Sequence, residues 1–130
     1  MSAQRDEAAP APLVSICIAN FNGEHLLDAC LESIYAQTLE SPVEIIVHDD
    51  ASSDASLAVL GSRHPRVDVI ASEENVGFCL ANNRMARKAR GQFLLLLNND
   101  ATLRPDALKV LVESMESQQE LSILSLPQYD

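Results

Sequence analysis

The sequence predicts an α/β fold in which a mostly parallel sheet is sandwiched by helices. Short apolar runs alternate along the chain with segments whose apolar residues recur every three or four positions. That alternation is typical of strands joined by helices, which pair in parallel through right-handed crossovers. Hydrophobic residues make up 47% of the 130 residues, enough for one domain with a packed core.

The first half of the chain contains two predicted strands and two predicted helices. Residues 13–19 form an apolar run that indicates a buried strand, and residues 43–48 form a second. Between them, residues 23–37 place their apolar side chains on one helical face. A helix carrying Leu57 and Leu60 follows, and three residues can cap its start: Ser52, Ser53 and Asp54.

The second half repeats the alternation. Residues 67–71 predict a short third strand, and residues 78–90 predict a helix that stops at Gly91, a typical glycine at a helix C-terminus. Residues 93–97 are five apolar residues in a row, which predicts a central strand covered on both faces. A fourth helix follows, and residues 121–126 predict a last strand.

The charge balance excludes one class of partner. The chain has 19 Asp and Glu against 9 Lys and Arg, a formal net charge of −10. A nucleic-acid backbone would be repelled, so we expect no nucleic-acid partner. A small anionic ligand remains compatible with this charge, because a bound cation or a few local donors can hold it.

The cysteines and the N-terminal residues bear on the compartment. Cys17 and Cys30 fall at apolar positions, so with Cys79 they predict free thiols in a reducing, cytoplasmic compartment. Residues 1–12 are rich in Ala and Pro and lack the apolar centre of a signal peptide, which predicts a flexible leader before a domain at 13–130. The sequence has no apolar run near the roughly 18–20 residues that a membrane span needs.

Polar residues collect where the predicted strands end. Because ligands of open α/β sheets bind outside the carboxyl ends of the strands, three separate segments should converge on one edge. That convergence is the strongest functional signal in the chain. The residues are Asn20, Phe21 and Asn22 after the first strand, Asp49 and Asp50 after the second, and Asn98, Asn99 and Asp100 after the fourth.

Each of these segments also has a purely structural explanation. Asn20 and Asn22 are good turn formers. Asp49 or Asp50 can cap the next helix, although two adjacent carboxylates repel and a cap does not need both. Asp100 can accept hydrogen bonds from its own loop, but an Asp flanked by Asn oxygens also resembles a site for Mg²⁺ or Mn²⁺.

The remaining polar side chains have structural explanations. Four of the nine basic residues crowd one helix and predict a solvated face: Arg84, Arg87, Lys88 and Arg90. The three histidines show no metal-ligand spacing, so we expect them to be structural: His25, His48 and His64. The sequence has no glycine-rich phosphate loop.

The order of these motifs resembles family 2 glycosyltransferases. Residues 14–22 are similar to that family's first strand, which ends in Pro-Thr-Tyr-Asn, and residues 49–54 to its Asp-Asp-Gly-Ser-x-Asp motif. Residues 75–83 look like the Asn-x-Gly-Phe-x-x-x-Asn-Asn form of rhamnosyltransferase-like members. Residues 93–100 with Pro105 look like the strand, DxD-type motif and following helix. The resemblance covers about residues 13–126.

The resemblance implies a GT-A fold, which is Rossmann-like and binds a nucleoside diphosphate sugar with a divalent cation, Mg²⁺ or Mn²⁺. Ala19 and Phe21 would line the base and ribose pocket, and Asp50 would bond the base with Asp49 beside it. The nucleotide-binding residues implied in this way are Ala19, Phe21, Asp49, Asp50, Asn75 and Asn82.

The metal site implied by the resemblance departs from the family's pattern. Asp100 would hold the cation, but Asn98 stands where the first Asp of the DxD motif often stands, so the site has one charge fewer. Asn82 stands where many members have Arg, so the diphosphate would depend on a different cation. Ala51 replaces a glycine of the acidic motif, and we expect that change to be tolerated.

The activity implied is transfer of a hexosyl or deoxyhexosyl group to a glycan or lipid-linked acceptor during polysaccharide assembly. In this family the general base lies in a later segment, so we expect it after Asp130 and find no catalytic residue within the chain. The chain would then bind the donor without transferring the sugar, in the cytoplasm or at the inner face of the membrane. An exposed sheet edge at the place of the missing half would favour self-association.

Two other classes of function compete with this hypothesis. The first is a non-catalytic nucleotide-binding or interaction module of the same fold, favoured by Asn98 and by the missing base. The second is a flavodoxin-like phospho-acceptor signalling domain, which also clusters acids at strand ends. That class has an acid pair near the first strand and a Lys after a late strand, and this sequence shows neither.

Overall fold

The computed structural model describes residues 10–117, which alternate strands and helices as predicted. The predicted elements within this range agree closely with the observed bounds. The elements are β1 (Val14–Asn20), α1 (Glu24–Tyr35), β2 (Val43–Asp49), α2 (Ser56–Arg63), β3 (Asp68–Ala71), α3 (Phe78–Lys88), β4 (Phe93–Asn98) and α4 (Ala107–Glu116). Residues 1–9 of the predicted leader and the predicted strand at 121–126 lie outside the described residues.

The described strands form one parallel sheet in the order β3-β2-β1-β4. The chain builds outward from β1 through β2 to β3, then crosses back over β1 to place β4 on its other side. In open α/β sheets, the carboxyl edge near such a reversal is where ligands bind. The fold therefore directs attention to the ends of β1, β2 and β4.

The central strands are covered on both faces, which explains their unbroken apolar runs. On one face, Ile16 and Ile18 of β1 pack with Leu27 of α1 and Leu108 of α4, and all four side chains are fully buried. On the other face, Met85 of α3 packs against a smaller cluster that includes Cys17 and Ile46.

The position of β4 corrects one prediction. Its apolar run was expected in the centre of the sheet, but within the described residues β4 is an edge strand whose burial alternates. Phe93 and Leu95 pack against the core, whereas Leu94 is 47% exposed and Leu96 51% exposed. The cause is the placement of α3, which packs over β1 and β2.

Gly91 corrects a second prediction. The helix α3 ends earlier, with Ala89 in an extended conformation, and Gly91 does not have the positive φ of a helix C-terminal glycine. Its role is close packing, because a Cβ added there would lie 2.6 Å from the backbone nitrogen of Ser15. Only glycine lets the α3–β4 connection approach β1 this closely.

The cysteines behave as predicted, and burial explains their chemistry. Cys17 and Cys30 are buried free thiols, and Cys79 is an exposed one. Burial, with the nearby Glu44 charge, raises the pKa of Cys17 to about 11; burial, with the Asp100 charge, does the same for Cys30. Each helix within residues 10–117 is too short or too polar to cross a bilayer.

Candidate functional site

Asn20 joins the carboxyl ends of three strands. It is the last residue of β1 and is only 1% exposed. Its Nδ2 donates to Asp49 Oδ1 of β2 at 2.9 Å, and its Oδ1 accepts from Asn99 Nδ2, just after β4, at 2.9 Å. A buried amide that satisfies both its donor and its acceptor fixes the geometry of this edge.

Asp49 is held entirely by protein groups. Its side chain is fully buried, and besides Asn20 it accepts hydrogen bonds from Ser52 Oγ at 2.7 Å and from Ser52 N at 3.1 Å. The structural alternative for Asp49, capping of the next helix, is not what the geometry shows, because its carboxylate bonds the turn at Ser52 and α2 begins only at Ser56. The Asp49 carboxylate has no accessible surface here. Its predicted contact with a nucleotide stays a prediction.

The loops after β1 and β2 are fastened to each other. Asn22 has a φ of 51°, its Oδ1 accepts from Ser53 N at 2.8 Å, and its own N–H donates to Ser52 Oγ at 2.9 Å. Asp54 accepts from Glu24 N at 3.0 Å. These bonds order both loops, so the turn-forming explanation for Asn22 is confirmed.

Asp54 also fixes the start of α2. Its Oδ1 accepts from Ser56 N at 2.9 Å. Desolvation alone would raise the pKa of this carboxyl, but hydrogen bonds from Ser56 and Glu24 outweigh it and hold the pKa below the usual value. The residue therefore stays ionised just before the start of α2, where negative charge is favourable.

Asp50 anchors the loop that leads into α3. Its Oδ1 accepts from Val76 N at 2.8 Å and its Oδ2 from Gly77 N at 2.9 Å, while its backbone oxygen accepts from Asn75 Nδ2 at 3.4 Å. Gly77 has φ 88° and ψ 167°, a region that only glycine adopts without strain. Asp50 keeps 6% of its surface exposed, at the wall of a cleft.

That cleft brings together residues from the polar segments after β1 and β2 and from the start of α3. Its volume is about 150 Å³, and three predicted site residues line it, Ala19, Phe21 and Asp50. Asn75 is exposed, and its bond to the backbone of Asp50 places it beside the cleft. Asn82 is half-buried on α3 and does not line the cleft. The full lining is Ala19, Asn20, Phe21, Asp50, Gly77, Phe78 and Ala81.

The predicted metal residues lie at the end of β4 (Asn98) and in the turn after it (Asp100). Asn98 and Asp100 are both exposed, and the turn is closed by a bond from Ala101 N to Asn98 O at 3.1 Å. Among residues 10–117, no group of three or more His, Cys, Asp or Glu side chains could hold a metal ion unaided. One carboxylate with amide oxygens fits Mg²⁺ or Mn²⁺, whose remaining ligands are commonly phosphate and water.

The cleft has no basic lining residue within the described part of the chain. Three basic side chains pair with acids away from the cleft: Arg63 with Asp28, Lys88 with Asp68, and Arg90 with Glu44. An anionic ligand in this cleft would meet no cationic side chain of its described lining.

His48 and Arg84 form a buried contact that the sequence did not reveal. Arg84 was expected on a solvated face, but it is half-buried, with Nη1 at 3.4 Å from His48 Nε2 and 3.2 Å from Ser72 Oγ. Burial, with the Arg84 charge, holds the pKa of His48 below its usual value despite the opposing charges of Asp50 and Asp49. His48 is thus structural, as predicted.

Sequence reasoning also missed the role of Asn99 and Gly23. A Cβ at Gly23 would collide with Asn99 Nδ2 and Asn20 Oδ1, so this glycine makes room for the bond between the two amides. The motif order drew attention to Asn98 and Asp100 on either side of Asn99. Which of three consecutive polar residues turns inward depends on backbone geometry after the strand, and sequence alone does not carry that information.

Comparison with known proteins agrees with this architecture. Residues 15–130 match the family described as glycosyl transferase family 2. The chain is 36% identical to a chondroitin synthase of Escherichia coli over 115 residues, which is 86% of this chain and 16% of that protein.

Solved structures share the fold. One is Staphylococcus aureus TarS (residues 1–349) in complex with UDP-GlcNAc, with a TM-score of 0.74 and 21% identity over 89% of this chain and 37% of that chain. Another is the mannosyltransferase PcManGT of Pyrobaculum calidifontis in complex with GDP-Man and Mn²⁺, with a TM-score of 0.67 and 23% identity over 88% and 37% of the two chains. The present chain thus spans well under half of each of these proteins. Because the family match covers most of its length and these structures share its sheet and helices, the chain belongs to glycosyl transferase family 2 and has the GT-A fold.

Proposed function

We propose that this chain supplies the donor-binding part of a glycosyltransferase that transfers a sugar from a nucleoside diphosphate sugar. The observation that carries the proposal is the cleft at the carboxyl edge of the sheet. Ala19, Phe21 and Asp50, which the motif order assigned to the nucleotide, line it together. The bonds of Asn20 tie the strand end beneath them to β2 and to the turn before Asp100.

In this proposal each residue has a role that follows from its position. Phe21 and Ala19 pack against the base and ribose, and Asp50 holds the cleft wall through its bonds to Val76 and Gly77. Asn75 faces the nucleoside from the loop beside the cleft, and Asn82 lies one helical turn into α3.

The diphosphate is held beside Asp100 in this proposal, with Asn98 as a weaker neutral partner. A divalent cation, when bound, neutralises the negative charge that develops on the leaving diphosphate. Asp100 contributes one carboxylate to that cation, and the absence of a basic residue from the described lining of the cleft is consistent with a role for the cation in holding the diphosphate. The Mn²⁺ in the structure of PcManGT supports a cation of this class.

The proposal also covers the class of the donor sugar and the class of the acceptor. Bound UDP-GlcNAc in TarS and GDP-Man in PcManGT support a hexosyl donor, and the motif at 75–83 supports a deoxyhexosyl donor. A glycan or lipid-linked acceptor fits a relative named chondroitin synthase. The general base and the acceptor site would come from protein outside this chain, which covers 16% of that relative.

We also propose a reducing, cytoplasmic location, supported by the free thiols of Cys17, Cys30 and Cys79. Leu94 and Leu96 support contact of β4 either with further protein of the same polypeptide or with a second copy.

The test is calorimetric titration of the 130-residue chain with UDP, dTDP and GDP, with and without Mn²⁺. We expect one nucleotide to bind in a Mn²⁺-dependent manner and the Asp100→Ala variant to lose at least about tenfold in affinity, as expected for losing a charged metal ligand. Glu113→Ala, which removes the same charge from the exposed face of α4, is the matched control and should bind normally.

Failure of all three nucleotides to bind a protein with a cooperative unfolding transition would overturn the proposal. Binding that is equally tight without Mn²⁺ and in Asp100→Ala would favour the second candidate, a non-catalytic module. The specific observation behind that candidate is Asn98 in place of an acid, which leaves the turn after β4 with one carboxylate.

A further inference from the structure

The cleft is bordered by two large apolar side chains that the fold leaves exposed. Phe21 is 53% exposed and Phe78 is 61% exposed, although both line the same small cleft. The chain has three phenylalanines, and the third, Phe93, packs against the core. Burying a phenyl ring is strongly favourable, so two exposed rings at one cleft indicate a binding surface.

Both rings stand on backbone that is held in place. The residue before Phe78 donates its N–H to Asp50 Oδ2 at 2.9 Å, so α3 begins from a fixed point. Phe21 lies between the buried Asn20 and Asn22, whose side chain accepts hydrogen bonds from the loop after β2. Exposed aromatic side chains on an ordered backbone bind with little further loss of conformational entropy.

The rest of the cleft favours a flat ring. Ala19, Gly77 and Ala81 are small lining residues, so little side-chain volume of theirs fills the cleft. Asp50 is the one charged lining residue among those described, and its carboxylate already accepts two backbone hydrogen bonds. A cleft lined by two phenyl rings and three small residues matches a planar heteroaromatic ring, which stacks on phenyl groups.

We propose that Phe78 is a second aromatic contact for the base of the donor nucleotide, in addition to Phe21. The inference rests on the proposed function, because it names a further binding residue of the same site. Phe78 belongs to α3 and Phe21 to the loop after β1, so the base bridges two separate elements. Through Phe78 the base contacts the helix whose start is fastened to Asp50.

The test compares Phe78→Ala, Phe78→Tyr and Leu80→Ala in the same titrations, using whichever of UDP, dTDP and GDP the unsubstituted chain binds. Loss of one stacking contact predicts at least about fivefold weaker binding for Phe78→Ala. Phe78→Tyr keeps the ring and should bind within about twofold of the unsubstituted chain. Leu80→Ala removes exposed apolar surface from the same helix outside the cleft and should change nothing.

Titration with the corresponding nucleoside monophosphate distinguishes a contact of Phe78 with the base from a contact with the phosphates or the sugar. Phe78→Ala should weaken the monophosphate and the diphosphate by the same factor. Unchanged affinity in Phe78→Ala, or a loss seen for the nucleotide sugar alone, would overturn this inference while leaving the donor site intact. If the unsubstituted folded chain binds no nucleotide, both this inference and the proposed function fail.

Discussion

The two ends of the sheet are both crossed by polar networks, but the networks are built differently. At the amino end, Glu44 Oε1 accepts from Ser15 Oγ and from Arg90 N, both at 2.6 Å, and Gly91 N donates to Ser15 Oγ at 2.8 Å. Two of these three bonds involve the backbone of the α3–β4 connection, which is thereby pressed against β1.

At the carboxyl end, the links between strands are made by side chains. Asn20, Asp49 and Asn99 bridge β2, β1 and the turn after β4, and the loops beyond them adopt positive φ at three residues. A cleft remains above this network. The positive-φ residues are Asn22, Ala51 and Gly77.

The difference shows how one fold separates stability from binding. The amino end is closed by backbone packing, whereas the carboxyl end collects buried polar groups and unusual backbone angles around an opening. Such features cost stability and persist where the surrounding structure holds them, which is typical of functional sites.

The largest expected effect comes from removing the centre of the carboxyl-end network. Asp49→Ala should lower the free energy of unfolding by about 3 kcal/mol, because it leaves the buried Asn20 Nδ2 and the Ser52 donors without their partner. Urea denaturation measures this. Asp68→Ala, which breaks an exposed pair with Lys88, should cost less than about 1 kcal/mol. Equal losses in the two variants would contradict the assignment of Asp49 as the network's centre.

The matching disruption at the amino end is Gly91→Ala. A Cβ there would lie 2.5 Å from Ser15 Oγ and 2.6 Å from Ser15 N, and we expect a loss of about 2 kcal/mol from the forced backbone shift. Nucleotide affinity of the folded fraction should not change, since the cleft is at the opposite end. Gly61→Ala, where a Cβ meets no atom within 4 Å and the residue is helical, should be neutral or stabilising. A binding defect in Gly91→Ala would show that the two ends are coupled.

The third prediction concerns pH and Glu44. Desolvation alone would raise the pKa of Glu44, but hydrogen bonds from Arg90 N and Ser15 and the Arg90 charge outweigh it and hold the pKa below its usual 4.5. The unfolded chain therefore binds more protons below about pH 4.5, so this contribution is present above that pH and is lost as pH falls through the folded pKa.

Glu44→Gln should accordingly lower the free energy of unfolding by about 1 kcal/mol near neutral pH. The loss should become progressively smaller in acid, because the amide does not titrate. Urea denaturation of both proteins from pH 7 to pH 3 measures the difference. A difference that stays constant or grows as the pH falls would refute the depressed pKa.

The smallest effect is expected at Ala51, which stands where the family's acidic motif has glycine. Replacement of the family's glycine by alanine was expected to be tolerated, but Ala51 has a φ of 60°, a left-handed conformation that strains a residue with a Cβ. Ala51→Gly should raise the free energy of unfolding by about 0.5–1 kcal/mol, after allowing for the entropy of glycine in the unfolded chain. Ala58→Gly in α2 should do the opposite, and stabilisation by both would contradict the argument.

Most of the described fold was predictable from sequence because each element carries a local periodic signal. The spacing of Leu27 and Leu31 requires a helix with one buried face, and both residues are fully buried in the core. The position of Asp49 and Asp50 after an apolar strand placed them at the carboxyl edge before any contact was known. Local patterns predict these features because the residues that bury an apolar face recur at the spacing of the helix or strand itself.

The candidate site could be predicted less completely. The grouping of Ala19, Phe21 and Asp50 was predicted, and all three line one cleft. The inward turn of Asn99 was not predicted, and neither was the exposure of Phe78 beside that cleft. These depend on the angle at which a chain leaves a strand or enters a helix, and hydrogen bonds to distant residues set that angle.

The sequence by itself thus determined the family, the alternation of strands and helices, and the edge of the sheet where polar residues meet. Only the tertiary structure decided that β4 lies at the edge of the described sheet, that Gly91 serves close packing and not a helix end, and that Asp49 faces inward while Asp50 borders the cleft. The physical reason is the separation along the chain over which each interaction acts. Periodicity and capping act within a few residues, whereas strand order, close backbone approach and the partners of a buried carboxylate join residues about thirty or more positions apart, as in Asn20 and Asp49 (29 residues) or Asn20 and Asn99 (79 residues).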